Sequence, residues 1–112
     1  EKGKLELKEG VVKDQVRHDL SYSKGIIKPL KVVVDPANSM GITFIRDLFS
    51  NLDCELIEIN FELDGNFPSH PADPFVPENN EQLSKKIVYE GADLGIALDG
   101  DGDRVFFFDE KG

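Results

Sequence analysis

Leu94-Gly95-Ile96-Ala97-Leu98-Asp99-Gly100-Asp101-Gly102-Asp103-Arg104-Val105-Phe106-Phe107-Phe108 is the stretch on which the reading of this chain turns. An apolar run of strand length stops at three carboxylates on alternate positions, and a second strand-like run begins directly after an arginine. Two neighbouring carboxylates about 4 Å apart at an effective dielectric near 20 repel by roughly 4 kcal/mol. Three converging on one point therefore need a cation, and the intervening glycines permit the tight backbone that convergence requires. Oxygen-only ligands suit a hard ion such as Mg²⁺ or Ca²⁺ rather than zinc. A solvated acidic turn is the competing reading, because Asp-Gly pairs are frequent in turns. Three aspartates in register at the end of a buried strand favour the metal loop, with Asp99, Asp101 and Asp103 as ligands.

Working outward, the chain reads as an α/β unit. Residues 31–35 form a buried strand, and Ile42, Ile45, Leu48, Phe49 and Leu52 recur at helical spacing, which predicts an amphipathic helix over 40–52. Residues 54–61 read as a second strand, followed by a long loop over 62–77 that holds Pro68, Pro71, Pro74 and Pro77. Asn79 and Gln82 have the spacing of a capping box for a helix over 80–90, which presents Leu83, Ile87 and Val88 and carries Glu81–Lys85 and Lys86–Glu90 pairs. In the third strand, 93–98, the small residues Gly95 and Ala97 permit close packing on one face. Strand 105–109 follows antiparallel, and Asp109-Glu110-Lys111-Gly112 reads as a turn. A weaker helical stripe of Val11, Val12, Val16 and Leu20 spans 11–22. The alternation of strands and helices implies a three-layer α/β/α fold with a mostly parallel sheet and one antiparallel edge strand. The acidic loop then lies at the carboxyl end of a strand, where open α/β sheets bind ligands.

Three metal or phosphate motifs can be laid over the loop. An EF-hand also begins Asp-x-Asp-x-Asp, and Glu110 falls at its twelfth position, but Arg104 stands at the sixth, where glycine makes the sharp turn. A dehalogenase-type phosphatase places Asp-x-Asp after a buried strand but expects Thr or Val where this chain has Asp103. The third comparison has no mismatch: Asp99-Gly100-Asp101-Gly102-Asp103-Arg104 resembles the metal-binding loop of the α-D-phosphohexomutases, the phosphomannomutase/phosphoglucomutase superfamily. The resemblance extends over about residues 31–112. Lys31-Val32-Val33-Val34-Asp35 with Ala37-Asn38-Ser39-Met40-Gly41 is similar to the strand and turn that open the family's second domain, Ser39 standing where that turn usually has Gly. Asp64-Gly65-Asn66-Phe67-Pro68, His70-Pro71-Ala72 and Asp73-Pro74 resemble its Asp-Gly-x-Phe-Pro loop, and Pro77-Glu78-Asn79 and Ala92-Asp93-Leu94-Gly95 match in order and spacing.

The resemblance implies a division of labour. The phosphohexomutases move phosphate between C1 and C6 of a hexose through a phosphoserine. Asp99, Asp101 and Asp103 would hold Mg²⁺, and Arg104, the implied catalytic residue, would present its fork to phosphate or sugar oxygens. A structural ion pair with a loop carboxylate is the competing role for Arg104. The partners implied are a hexose phosphate and a phosphoserine loop, with no nucleic acid and no membrane. No phosphoserine loop, sugar-reading loop or C-terminal phosphate-binding loop is found in these residues. The expectation is a single α/β domain over 1–112, with 1–10 flexible, excised from a larger four-domain enzyme and inactive alone. A dehalogenase-type phosphatase and a non-catalytic Ca²⁺-binding module are the alternatives.

Composition narrows the classes further. The 112 residues suffice for one core, and the net charge of −9 speaks against a nucleic-acid partner. Cys54 is the single cysteine, so the chain forms no internal disulfide and a reducing, cytoplasmic setting is expected. His70 tempts as an acid or base, but with no carboxylate partner apparent it reads as loop packing. His18 reads as solvent-exposed, and Asn38 with Gly41 as structural.

Overall fold

The computed structural model describes residues 3–25 and 27–112. Its elements are α1 (Val11–Leu20), β1 (Lys31–Asp35), α2 (Ile42–Phe49), β2 (Glu55–Glu58), a 3₁₀ turn (Pro77–Asn80), α3 (Glu81–Glu90), β3 (Leu94–Leu98) and β4 (Val105–Phe108). The four strands lie in the order β2-β1-β3-β4. β1 is parallel to both β2 and β3, and β4 closes the sheet antiparallel to β3. This is the expected mostly parallel sheet with one antiparallel edge strand.

Strand alternation divides the core between two faces. Val32, Val34 and Leu98 pack with Ile45 and Phe49 of α2 on one side. Val33 and Ala97 meet Leu83 and Ile87 of α3 on the other. Leu83 and Ile87 are fully buried, each a contribution of roughly 1.5–3 kcal/mol from area removed from water. The small residues of β3 serve the α3 face as expected: a Cβ added at Gly95 would stand 2.2 Å from Ile87 Cδ1, so only glycine admits the helix that closely. α1 packs on α2, with Val16 buried. No helix among the described residues is long and apolar enough to cross a membrane.

Several element ends differ from the sequence expectation, each for a local reason. α1 ends at Leu20, where the Ser21 hydroxyl bonds back to the His18 carbonyl. α2 occupies Ile42–Phe49 rather than 40–52, its last carbonyls being taken up by turn hydrogen bonds at Ser50, Asn51 and Leu52. β2 is only Glu55–Glu58, because Asn60 turns left-handed at φ 56. The capping box at α3 does not form. Asn79 and Asn80 instead donate their side-chain amides to the Asp73 and Pro74 carbonyls, and Gln82 accepts from Asn60. Val88 lies 59 % exposed rather than in the core. The Glu81–Lys85 and Lys86–Glu90 pairs both form, at 2.9 and 2.6 Å.

Among the described residues β4 is paired on one side only. Val105 and Phe107 lie opposite Leu98 and Ile96 on the α2 side of the sheet, beyond the helix that covers β1, and are 47 % and 66 % exposed. Phe106 and Phe108 point to the other face and pack against the α3 core.

Candidate metal centre

β3 and β4 form a strand–loop–strand unit whose connection is the acidic loop, at the carboxyl end of β3. β1 ends beside it, and the turn after β1 is strained: Ala37 and Asn38 both hold positive φ, 50° and 59°. Such residues persist where surrounding bonds over-determine them. Ala37 N donates to Asp35 Oδ1 at 2.8 Å. Asn38 donates from its backbone N–H to Asn60 O and from its side chain to Glu62 O, and it accepts from Asp64 N and, at Oδ1, from Ser69 N. The left-handed geometry thus falls before Ser39, not on it. Ser39 is buried, and its hydroxyl lies within hydrogen-bond distance of the carbonyls of Pro36 and Asp99, tying the β1 turn to the start of the acidic loop.

Of the two loop glycines only Gly102 needs a left-handed backbone, at φ 76. That turn brings carboxylate oxygens of Asp99, Asp101 and Asp103 within 4.8 Å of one another. The three are not equivalent. Asp99 is 1 % exposed and its Oδ1 accepts the backbone N–H groups of Gly102 and Arg104 at 3.1 and 3.2 Å. Its Oδ2 accepts Arg104 Nε at 2.5 Å. A carboxylate offers about four lone-pair positions, so one remains for a further ligand. Asp101 and Asp103 are exposed.

The electrostatics separate them in the same way. Burial pushes the Asp99 carboxyl upward, but the backbone and side-chain N–H bonds from Arg104, its charge and the Gly102 N–H outweigh that and hold it below the usual carboxylate range. Asp103 is pushed above its ordinary value, chiefly by the Asp101 charge, then by partial burial and by Asp99; Arg104 at 3.7 Å only partly offsets this. Uncompensated repulsion among converged oxygens is what a hard cation relieves, so the donor set fits a divalent oxygen-liganded ion. Arg104 is raised further above its ordinary value, first by its hydrogen bond to Asp99. The competing structural role considered for Arg104 is therefore real: it pairs with Asp99. Its two terminal nitrogens carry no hydrogen bond to another described residue.

This geometry bears on the alternatives. The loop is flanked by two strands rather than by a helix, so it is not an EF-hand. A dehalogenase-type mechanism would need Asp99 as a free nucleophile, but that carboxylate is buried and accepts three N–H groups.

The sequence reading missed two contacts. His70 does have a carboxylate partner: its Nε2 lies 2.9 Å from Oδ2 of buried Asp35, while Nδ1 lies 2.9 Å from the Pro71 carbonyl. Asp35 Oδ1 also accepts from Asn60. The pairing ties the loop after β2 to the end of β1 and removes the ground on which the sequence reading set the acid or base role aside, the lack of a carboxylate partner. Phe75 is the second: its ring centroid lies 5.4 Å from Arg104 Cζ. No sequence signal short of fold-level pairing would have joined either pair. The loop over 62–76 also approaches the acidic loop directly, with Phe67 Cζ and Ala72 Cβ each 3.8 Å from a Cβ placed on Gly100. His18 is exposed, stacked edge-on against Tyr22.

Residues 11–112 match the family described as phosphoglucomutase/phosphomannomutase, alpha/beta/alpha domain II. The chain belongs to this family. A phosphomannomutase/phosphoglucomutase of Pseudomonas aeruginosa is 46 % identical over 91 residues, 81 % of this chain and 19 % of that protein. A phosphomannomutase of Salmonella montevideo is 39 % identical over 103 residues, 87 % of this chain and 23 % of its own length. Among solved structures, a phosphoglucomutase/phosphomannomutase family protein of Burkholderia thailandensis superimposes with a TM-score of 0.84 at 38 % identity, covering 91 % of this chain and 22 % of that one. The phosphoglucomutase/phosphomannomutase domain II described here thus spans about a fifth of the length of the relatives it matches.

Proposed function

We propose that this chain is the metal-binding domain of a cytoplasmic phosphohexomutase that interconverts hexose 1-phosphate and hexose 6-phosphate through a phosphoserine. The observation that carries the reading is the convergence of Asp99, Asp101 and Asp103 within 4.8 Å, with Arg104 fixed against the buried member. Family membership supports the reaction class, and the names of the relatives support both mannose and glucose phosphates as substrates to test. A single cysteine agrees with a reducing compartment.

In this reading Asp99, Asp101 and Asp103 hold Mg²⁺. When bound, the ion neutralises phosphoryl oxygen charge, the main requirement of phosphoryl transfer. The chain's own residues supply the frame. Asp99 sets the position of the loop, because its carboxylate gathers the Gly102 and Arg104 N–H groups. Asp101 and Asp103 supply exposed negative oxygens. Arg104 offers two unpaired nitrogens in a planar fork, the geometry suited to phosphate oxygens. The phosphoserine, the sugar-binding groups and the rest of a four-domain enzyme lie outside these residues, so the domain alone binds metal weakly and turns nothing over.

The test is to assay the full-length protein carrying this chain with mannose 1-phosphate and glucose 1-phosphate in Mg²⁺, following 6-phosphate product and free phosphate, beside Asp101→Asn. Isomerised product lost in the variant supports the mutase. Free phosphate without isomerised product favours a phosphatase. Neither product, together with Ca²⁺ or Mg²⁺ raising the melting temperature of the 112-residue chain, favours a binding module.

A further inference from the structure

Arginine is a long side chain that loses rotamer freedom when it is fixed, and Arg104 is more than half exposed. The ion pairs to Asp99 and Asp103 both engage Nε, and leave the guanidinium free to swing about that single point. A second contact restrains it: the Phe75 ring, at 5.4 Å from Cζ, within the range at which a cation is drawn to an aromatic face. Phe75 is itself 62 % exposed, so it contributes little to the core. It is held from three directions. Its ring packs edge-on against Phe106 of β4, with centroids 4.7 Å apart at 80°. Its backbone N–H donates to Asp73 Oδ1 at 3.1 Å. The preceding Pro74 is buried, and its carbonyl accepts the Asn80 amide at 2.8 Å. The turn is therefore held by contacts that do not involve Arg104, and it presents the ring to the guanidinium.

We propose that Phe75 is a positioning residue for Arg104, clamping the guanidinium between its ring and Asp99 so that the two terminal nitrogens stay available to phosphate oxygens. The clamp rests on geometry alone. The phosphate it serves rests on the function proposed above. Packing on Phe106 is the rival account of Phe75, and substitutions separate the two. Phe75→Leu keeps an apolar contact with Phe106 but removes the π face, whereas Phe75→Tyr keeps both.

The experiment follows the Arg104 Nε–H resonance in the ¹⁵N-labelled 112-residue chain, together with titration of inorganic phosphate in saturating Mg²⁺, for the wild type, Phe75→Leu and Phe75→Tyr. A parallel set carries Arg104→Leu. The expected result is a ring-current shift of Nε–H that disappears in Phe75→Leu and survives in Phe75→Tyr. Phosphate affinity should fall by about two- to fivefold in Phe75→Leu, the worth of an exposed cation–π contact, and should be insensitive to Phe75→Leu once Arg104 is gone. An unchanged Nε–H resonance in Phe75→Leu overturns the clamp, as does an equal loss of phosphate affinity with and without Arg104. If the wild type shows no Mg²⁺-dependent phosphate binding, the phosphate role assigned to the clamped nitrogens is overturned, and the Nε–H comparison alone decides the clamp; the mutase reading is judged separately, by the assay of the full-length protein.

Discussion

Three aspartates of one motif should respond in opposite senses to loss of charge in metal-free chain. In Asp99→Asn, Oδ1 still accepts the Gly102 and Arg104 backbone N–H groups, but an amide NH₂ replaces the oxygen that faces Arg104 Nε. The lost bond is charge-assisted, a class worth about 1.5–3 kcal/mol. Arg104 is 55 % exposed and can turn to water, so about 1–2 kcal/mol is the expected cost. Asp99→Ala removes both acceptor oxygens and the three bonds they accept, and strands the Arg104 backbone N–H, for roughly 2–4 kcal/mol. Small domains lose about 4–8 °C of melting temperature per kcal/mol. Asp101→Asn touches none of these bonds and removes the charge that most raises the Asp103 carboxyl, so its melting temperature should equal or exceed the wild type. The assay is thermal and urea unfolding in EDTA followed by circular dichroism. Equal destabilisation by Asp99→Asn and Asp101→Asn would refute the distinction between a buried organiser and exposed carboxylates.

Two further outcomes test the frame. Gly95→Ala should cost about 1–3 kcal/mol by overpacking, since the new Cβ meets Ile87 Cδ1 at 2.2 Å and Phe108 Cβ at 3.2 Å; adding Ile87→Val should recover part of it, and additive losses in urea unfolding would disprove the contact. Arg46 grips Glu58 with two bonds of 2.7 Å, and that hydrogen bonding, with the Arg46 charge, outweighs the upward push of partial burial and holds the Glu58 carboxyl below its ordinary 4.5. A depressed carboxyl stabilises the fold above the unfolded value and loses that contribution as pH falls through the folded one. Glu58→Gln should therefore flatten the decline of the urea midpoint on the acid side of 4.5, and a parallel decline would count against the pair.

The sheet was legible because its strands carry their own pattern. Val32-Val33-Val34 and Leu94–Leu98 are apolar runs buried on both faces, and a run of that kind reads as an interior strand without reference to anything distant. The acidic loop was legible because its three aspartates sit within five positions. What failed was competition from afar. The Asn79–Gln82 pattern is a sound local cap, but Asn79 and Asn80 found carbonyls in the proline-rich loop and Gln82 found Asn60. Asp35 with His70, and Phe75 with Arg104, are pairs made by folding, since nothing in the spacing of either announces the other. The inequality among the aspartates was likewise hidden: composition makes them identical, and only the turn at Gly102 decides which one faces inward.

The two margins of the sheet are guarded very differently, which sets how this chain must be handled in solution. β2 carries Glu55 and Glu58 along its length, charges that discourage another strand from adding there. β4 reads Val-Phe-Phe-Phe with no charge at all. At low ionic strength the net charge of −9 keeps copies apart. Salt shortens the reach of that repulsion to about 10 Å at 0.1 M, and sulfate or phosphate buffers also strengthen apolar association. Colloidal stability of the free chain is thus an electrostatic property, greatest in dilute buffer, and Phe107 is the position at which a lysine would relax that dependence.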